Sequence, residues 1–497
     1  MTIPHTDIND VYIGGEWRPT VEGIKAPIIN PATEQVIAQA PVATAKDAEL
    51  AIAAARNAFD SGPWAKLPMR ERADKVEALH DEIWSDADEL VKLIVAETGC
   101  PRMIAETAQF RMPLGQVEWA INYARRMELV QAAGPPEPAV SFLTGRSMMG
   151  GGVIVREPKG VVACITPYNY PFYLNLVKVV PALLMGNSVI LKPSPFTPFC
   201  ALALARLVDK VGFPAGAVNV IPADLPASEL ATSDPRVDMV TFTGSETVGA
   251  QVMKQAAPTI KDVHLELGGK SAMIVREDAD VRQAAAMGAA AISTHAGQGC
   301  ACLTRHIVHN AIRERYVQAV AGVLENVKAG DPTDPTTNFG PLIRESARER
   351  SEMYVQLGLD GGGRLAAGGK RPEGFDRGYY YEPTIIDNVD NSSRIAQEEI
   401  FGPVAVVIGY DTDEEAIAMA NDSNYGLYGG IFSSDVAKAY DMALQMRTGS
   451  VLLNGGSGSA SGYMPFGGYK RSGIGRECGP GWLEEFSEVK SIMYHIA

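Results

Sequence analysis

From Val161 onward, short apolar runs rich in β-branched residues alternate with longer segments of helical pattern. The runs are VVACIT (161–166), SVILK (188–192), NVIP (219–222) and MVTFT (239–243), and CALALARLVDKVG (200–212) is one intervening helical segment. Near-continuous apolar strands joined by helices are typical of a parallel sheet covered on both faces. The pattern predicts a doubly wound α/β fold with ligands at the carboxyl ends of its strands.

A second α/β pattern occupies the later part of the chain. It comprises AMIV (272–275), an alanine-rich helical segment (284–292), VAVVIGY (404–410) and VLLN (451–454). Earlier helical segments at 45–60 and 71–84 precede the first strand pattern. We therefore expect a second α/β domain over about residues 265–454.

Two weakly apolar segments fit neither pattern. After the proline-rich GPPEP (134–138), residues 141–160 suggest two extended arms forming a hairpin around Gly150-Gly151-Gly152, and FSEVKSIMYHIA (486–497) alternates like an edge strand. A lone hairpin is marginal in water, so both segments should pair with something else.

Composition narrows the class of protein. A chain of 497 residues exceeds the size of a single core, and its net charge of −15, without any Lys/Arg-rich run, argues against nucleic acid. The start has no signal-peptide pattern, and the most apolar stretch, 161–192, is interrupted by prolines, asparagines and Lys178, which argues against a membrane span. We expect a cytoplasmic protein. Six scattered cysteines predict reduced thiols and no metal site.

Several residues are candidates for chemistry on local grounds. Gly244 and Gly249 follow an apolar strand where a helix begins, which suits a pyrophosphate, although strand-to-helix turns also need glycine for geometry alone. Lys192 ends a strand at the predicted ligand edge, where a solvated lysine is the alternative. Glu266 is flanked by leucines, and burial would raise its pKa toward that of a useful base. Cys300 has small neighbours that would leave its sulfur accessible, although a free cysteine is usually structural.

The order of the motifs separates these alternatives. The chain resembles the aldehyde dehydrogenase superfamily over nearly all 497 residues, through TPYNYP (166–171), LKPS (191–194), FTGS (242–245), LELGGK (265–270), GQGC (297–300), EIFGPV (399–404) and PFGGYKRSG (465–473). Seven motifs in the family order are highly specific.

The resemblance implies a role for each matching residue. Cys300 attacks the aldehyde, the Asn169 amide and the Cys300 N–H stabilise the oxyanion, hydride passes to NAD or NADP, and Glu266 activates the water that hydrolyses the thioester. Implied cofactor contacts are Lys192 at the adenosine ribose, Ser245 with Gly244 and Gly249 at the pyrophosphate, Glu399 at the nicotinamide ribose and Phe401 at the ring, with Thr166, Pro167, Tyr168, Ser194 and Leu267 around them.

The resemblance also implies how the chain is divided. Residues 1–130 and 153–264 form the dinucleotide-binding domain, 265–454 the catalytic domain, and 455–479 a return segment to the cofactor domain. Residues 131–152 and 480–497 become an oligomerisation arm, so a homodimer or homotetramer is expected.

Two positions depart from the family pattern. Pro195 stands where many NAD-preferring relatives carry a glutamate, which leaves the cofactor preference open, with NAD favoured. Gly299 stands where a side chain commonly shapes the substrate channel, which suggests a roomier pocket.

The substrate is an uncharged aliphatic or aromatic aldehyde by our interpretation of the channel. No arginine precedes GQGC, where relatives acting on carboxylated semialdehydes often have one. The channel candidates, besides Tyr168, are Tyr170, Tyr173, Leu174, Val177, His295 and Ala301.

Three alternatives stay open. A CoA-acylating dehydrogenase generally lacks the carboxylate at Glu266, and a non-catalytic relative would not need Cys300, Asn169 and Glu399 intact. Cys302 is interpreted as a packed residue, with reversible oxidation alongside Cys300 as the alternative.

Overall fold

The computed structural model describes residues 3–456 and 462–496. Elements are numbered in chain order. The helices are α1 (Ala45–Ser61), α2 (Met69–Ser85), α3 (Ala87–Thr98), α4 (Arg102–Ile104), α5 (Met112–Ala124), α6 (Pro171–Met185), α7 (Phe199–Val211), α8 (Leu225–Ser233), α9 (Glu246–Ala256), α10 (Val281–Ser293), α11 (Arg313–Leu324), α12 (Glu345–Asp360), α13 (Arg394–Gln397), α14 (Asp413–Asn421) and α15 (Val436–Ala443). A π-helix, Ala105–Arg111, joins α4 to α5.

The first large sheet has a parallel centre with antiparallel edges. Its order is β2 (Glu16–Arg18), β1 (Val11–Ile13), β10 (Val218–Val220), β9 (Ser188–Lys192), β8 (Val161–Ile165), β11 (Met239–Thr243), β12 (Asp262–Glu266) and β22 (Gly473–Ile474). The five strands from β10 to β12 are parallel. Chain order reverses between β8 and β11, so a crevice opens at their carboxyl ends, where ligands bind in such sheets.

Alternation along β8 explains why both faces of this sheet are covered. Val161, Ala163 and Ile165 belong to the core cluster that contains apolar residues of α1, α8 and α9. Val162 and Cys164 belong to the opposite cluster, with residues of α2, α3, α5, α6 and α7. Successive side chains of a strand point to opposite faces, so a continuous apolar run serves two helical layers.

The second large sheet begins where the first ends. Its order is β15 (Arg364–Ala367), β16 (Thr384–Asp387), β17 (Val404–Tyr410), β14 (Leu303–His309), β13 (Ser271–Val275), β19 (Tyr428–Phe432) and β20 (Ser450–Leu453), with all but β15 parallel. Only residues 267–270 separate β12 of the first sheet from β13 of the second. Glu266 therefore lies at the junction of the two sheets.

These sheets confirm the predicted α/β class. Strands β9, β11 and β17 coincide with the predicted runs, β8 ends one residue earlier, and β10 is displaced toward its amino end. Helices α1 and α2 contain the predicted segments 45–60 and 71–84. The predicted domain limit between residues 264 and 265 falls near the end of β12.

A third sheet contains both weakly apolar segments. It consists of β23 (Ser487–Ile496), β7 (Ser147–Pro158), β5 (Val130–Ala132) and β6 (Glu137–Val140), and β23 is an edge strand, as predicted. Two small ribbons pair β3 (Lys25–Ile29) with β4 (Val36–Pro41) and β18 (Tyr425–Gly426) with β21 (Tyr469–Lys470).

The predicted hairpin around Gly150-Gly151-Gly152 is wrong. These glycines lie inside the continuous strand β7, and the chain turns instead over 141–146, where Gly145 has a φ of 67°. A Cβ at Gly151 would lie 3.0 Å from the ring of Tyr494 on the paired strand. The glycine therefore gives room to a neighbouring aromatic ring, a function that sequence cannot distinguish from a turn.

Candidate active site

Cys300 lies in an irregular loop between α10 and β14. The loop is preceded by three residues with left-handed backbone, His295 (φ 48°), Ala296 (φ 52°) and Gly297 (φ 68°). Left-handed conformations are costly for residues other than glycine, so neighbouring bonds must hold them. Gln298 does so, because its side-chain amide donates to the His295 carbonyl (3.2 Å) and its Oε1 accepts from the N–H of Ile343 (3.0 Å). Cys300 itself is half-buried.

Asn169 reaches this loop from the first sheet. It follows β8 at the predicted crevice and is buried, and its Nδ2 donates to the carbonyl of Gln298 (2.8 Å). The structure thus ties the Asn169 amide to the backbone two residues before Cys300. An amide with two N–H groups retains one for a further acceptor.

Glu266 ends β12 with its carboxylate inside the protein. Its side chain is 2 % exposed, and neither oxygen has a hydrogen-bond partner among residues 3–456 and 462–496. A Cβ at Gly467 would lie 2.8 Å from its Oε1, so the glycine leaves room for the carboxylate. Burial and the charge of Glu477 raise the pKa of Glu266 well above its usual value, against the opposing charges of Lys178 and Arg476.

The sequence did not predict the ion pair between Lys178 and Glu477. Both side chains are buried, and the Lys178 Nζ lies 2.7 Å from the Glu477 Oε1 although the residues are 299 positions apart in the chain. Lys178 also donates to the Thr241 hydroxyl (3.0 Å). Their charges act on Glu266. The available signal was a single lysine inside the apolar helix α6, since a buried charge needs a partner.

The surroundings of Cys300 disfavour its thiolate. Burial, with the charges of Glu266 and Glu399, raises its pKa well above the usual value. Burial also raises the pKa of Cys302 to about 12, which agrees with a packed residue. A Cβ at Gly299 would lie 2.8 Å from the Cys302 sulfur. The glycine therefore gives room to Cys302.

The turn after β11, where the sequence predicts a pyrophosphate site, leads directly into α9. Ser245 is exposed and caps α9, its hydroxyl accepting from the N–H of Val248 (3.4 Å). A Cβ at Gly249 would lie 2.7 Å from the side chain of Leu267, so glycine permits close packing of α9 on the segment after Glu266. The Gly244 N–H donates to the Glu266 carbonyl (3.1 Å). An open helix N-terminus favours an anion.

Glu399 and Phe401 lie on the side of the second sheet. Glu399 accepts from the N–H of Gly269 (3.1 Å), and a Cβ at Gly268 would collide with its carboxylate. Burial raises the pKa of Glu399 to about 7. Phe401 has a left-handed backbone (φ 57°), and its ring meets that of Tyr168 edge-on at 6.0 Å. The structure thus brings motifs from both sheets to the same crevice.

The remaining cofactor candidates lie around the end of β9. The Thr166 N–H donates to the Lys192 carbonyl (3.1 Å), and Ser194 is buried, its hydroxyl accepting from the N–H of Phe196 (3.3 Å). Burial lowers the pKa of Lys192 to about 8. Pro195 is exposed and Pro167 is half-buried.

Three of the channel candidates form an aromatic cluster, and Val177 lies outside it. The ring of Tyr170 meets those of His295 (5.4 Å) and Tyr173 (6.5 Å) edge-on. Leu174 is buried and Ala301 is half-buried. Val177 is fully buried in the core of the first sheet.

A thiol, an amide and a buried carboxylate between two parallel sheets define an α/β enzyme with a crevice that suits a nucleotide. The sequence model of the aldehyde dehydrogenase family matches residues 17–492. The chain belongs to the aldehyde dehydrogenase family. It is an oxidoreductase that oxidises aldehydes, as predicted.

Similar proteins are also named as dehydrogenases. The chain is 38% identical over 491 residues to a 3-succinoylsemialdehyde-pyridine dehydrogenase of a Pseudomonas species, covering 98% of each chain. A Mycobacterium tuberculosis aldehyde dehydrogenase crystallised with NAD+ has a TM-score of 0.92 and 40% identity over 97% of each chain. A Pseudomonas syringae aldehyde dehydrogenase C mutant, crystallised with NAD+ and octanal, has a TM-score of 0.92 and 36% identity, covering 99% of this chain and 98% of that one.

Over the described ranges, no helix has the length and apolar character needed to cross a bilayer.

Proposed function

We propose that the enzyme oxidises an uncharged aldehyde to the carboxylic acid with Cys300 as nucleophile. The Cys300 thiol loses its proton to water, the thiolate attacks the aldehyde carbon, and the resulting oxyanion is stabilised by the Asn169 amide and the Cys300 N–H. The observation that carries this proposal is the hydrogen bond from Asn169 to the Gln298 carbonyl, which holds the amide beside the nucleophile's loop.

The residues of the crevice fit a dinucleotide. Ser245 at the open N-terminus of α9 would hold the pyrophosphate, Lys192 the adenosine ribose, and Glu399 with Phe401 the nicotinamide end. When bound, the nicotinamide supplies an acceptor for the aldehyde hydride, which leaves an acyl thioester on Cys300. The solved relatives crystallised with NAD+ support NAD. NADP is the alternative, because the exposed Pro195 places no carboxylate against its extra phosphate.

Glu266 would release the product. Its carboxylate oxygens are free of partners within the described chain, and its raised pKa makes it a stronger base than an exposed carboxylate. It would take a proton from the water that attacks the thioester, which gives a free acid. Relatives that resolve the thioester with CoA generally lack a carboxylate at this position.

The channel residues support an uncharged substrate. Tyr170, Tyr173, Leu174 and Ala301 are aromatic or apolar, and the low pKa of His295, about 4 because of burial, keeps its imidazole neutral. A carboxylate-bearing substrate would find no fixed positive charge among these residues. The octanal complex of the Pseudomonas syringae enzyme supports an aliphatic aldehyde.

We expect hexanal and benzaldehyde to be oxidised with kcat/KM at least about tenfold higher than succinic semialdehyde. The reduced cofactor is followed by its absorbance in wild-type enzyme, with NAD and with NADP. NAD should give the higher kcat/KM. Rapid turnover of succinic semialdehyde, with neither hexanal nor benzaldehyde accepted, would contradict the proposed substrate, and a much higher kcat/KM with NADP would reverse the proposed cofactor.

The arm sheet is proposed to pair with a second copy of the chain, which gives a homodimer or homotetramer. Large apolar side chains are uncovered there: Phe142 is 94 % and Met493 is 84 % exposed, and Leu143, Val489 and Ile492 are also exposed. Uncovered apolar side chains of this size mark an interaction site, and β23 lies at the edge of its sheet in the part of the chain that the structure describes.

Light scattering coupled to gel filtration tests the arm. Wild-type enzyme should elute as a multiple of its 53.1 kDa chain, and the double variant Phe142→Asp/Met493→Asp should shift toward the monomer because two charges would be buried at the interface. Leu225→Asp, at an exposed apolar position on α8, is the matched control and should keep the wild-type mass. A wild-type monomer at micromolar concentration would refute the proposed assembly.

A further inference from the structure

Gln109 lies in the π-helix that interrupts the helix between α4 and α5. It is fully buried, and its side-chain amide donates to the main-chain carbonyl of Asn169 (3.3 Å) and to the sulfur of Cys100 (3.3 Å). Short π-helical turns are rare and recur at functional sites. A buried amide is costly unless its hydrogen bonds are used, so packing alone would favour an apolar residue here.

The bond from Gln109 reaches a part of Asn169 that secondary structure leaves unsupported. Asn169 lies after β8 and before α6, whose first turn begins with the bond from the Leu174 N–H to the Tyr170 carbonyl (2.8 Å). The Asn169 carbonyl is therefore one residue outside the helix. Gln109 holds it from a segment 60 positions earlier in the chain.

The same residue is held at its other end. The Asn169 side chain donates to the Gln298 carbonyl (2.8 Å), and Gln298 is itself fixed by Ile343 and by the His295 carbonyl. A line of hydrogen bonds thus runs from the π-helix through Asn169 to the loop of Cys300. With its backbone and its side chain both bonded, Asn169 has little freedom to turn its remaining N–H away from the nucleophile.

We infer that Gln109 is a positioning residue for the oxyanion site, acting through the backbone of Asn169. The inference rests on the proposed role of Asn169. Gln109 is fully buried, and its amide contacts the Asn169 carbonyl and the Cys100 sulfur. Its contribution is preorganisation, because a small displacement of a group that stabilises developing charge lowers the rate strongly.

If Gln109 were purely structural, its replacement would lower the stability of the fold, whereas a positioning residue can be replaced with little change in stability. Methionine has nearly the length and volume of glutamine, and it would remove the Gln109 Oε1, which has no partner within the described residues. Gln109→Met should therefore unfold within a few degrees of wild type, whereas its chemistry should suffer.

The test is the pre-steady-state burst of reduced cofactor with hexanal. The rate of this burst depends on the step that forms the oxyanion. Gln109→Met and, as a second variant, Gln109→Leu should lower the burst rate about tenfold or more. Alkylation of Cys300 by iodoacetamide should keep its wild-type rate, because that reaction forms no oxyanion. Cys100→Ala, which removes the other acceptor of the Gln109 amide, is the matched control and should keep the wild-type burst.

A double-mutant cycle with Asn169→Ala separates the possible failures. If Gln109 acts through Asn169, then Gln109→Met should add almost nothing in the Asn169→Ala background. Wild-type burst in Gln109→Met, or fully additive losses in the double variant, would overturn the inference while Asn169 retains its role. Wild-type burst in Asn169→Ala alone would instead overturn the proposed function.

Discussion

Replacing Cys300 by alanine should abolish aldehyde oxidation, with kcat/KM falling on the order of 10⁴-fold or more, as when a covalent nucleophile is removed from an enzyme. Cys302 is not expected to replace it, because its sulfur packs against Gly299, where a Cβ would lie 2.8 Å from that sulfur. The measurement is the appearance of reduced cofactor with hexanal, together with quenching of the protein's tryptophan fluorescence to show that NAD still binds.

Cys302→Ala is the matched control, because it removes a thiol from the same loop. It should keep most of the wild-type turnover. If Cys302→Ala lost activity and Cys300→Ala kept it, the two cysteines would have been assigned in the wrong order. Covalent labelling with iodoacetamide, located by mass spectrometry, would identify the reactive sulfur independently.

Replacing Glu266 by glutamine should separate the two halves of the reaction. Hydride leaves the aldehyde before water enters, so the variant should still give a burst of about one reduced cofactor per active site. Steady turnover should then fall about 10²-fold to 10⁴-fold, the usual contribution of a general base. Rapid-quench and stopped-flow measurements in the absence of CoA follow both phases.

The pH profile adds a second readout for Glu266. A base must be deprotonated to act, and burial with the Glu477 charge raises the pKa of Glu266, so wild-type hydrolysis should be slow at low pH and rise as pH passes the raised pKa. Glu266→Gln should lose this dependence.

Glu97→Gln is the matched control for removal of a buried carboxylate. Glu97 accepts from the N–H groups of Phe199 (2.8 Å) and Cys200 (2.9 Å), which begin α7. This variant should lose stability but keep the wild-type ratio of burst to steady rate. Wild-type steady turnover in Glu266→Gln, or turnover that strictly requires CoA, would refute hydrolysis by Glu266.

Much of the fold follows from the sequence because the local pattern of apolar residues predicts which faces of an element are buried. Strands such as Ser188–Lys192 and Met239–Thr243 are continuous apolar runs, and a run buried on both faces has few alternatives to a central parallel strand. The order of the motifs likewise predicts Cys300, Asn169 and Glu266 as site residues. Glycine was the weak point, since Gly151 packs against Tyr494 instead of turning the chain.

Only the tertiary structure determines which distant segments of the chain contact each other. Lys178 meets Glu477 across 299 residues, and Gln109 reaches the Asn169 carbonyl across 60. The left-handed backbone at His295 and Ala296 is also invisible in the sequence, because those residues rarely adopt it unless surrounding bonds impose it. A sequence pattern specifies which face of an element is buried. Which polar groups meet inside the protein is fixed only when the elements pack, since each buried charge or amide must then find its partner.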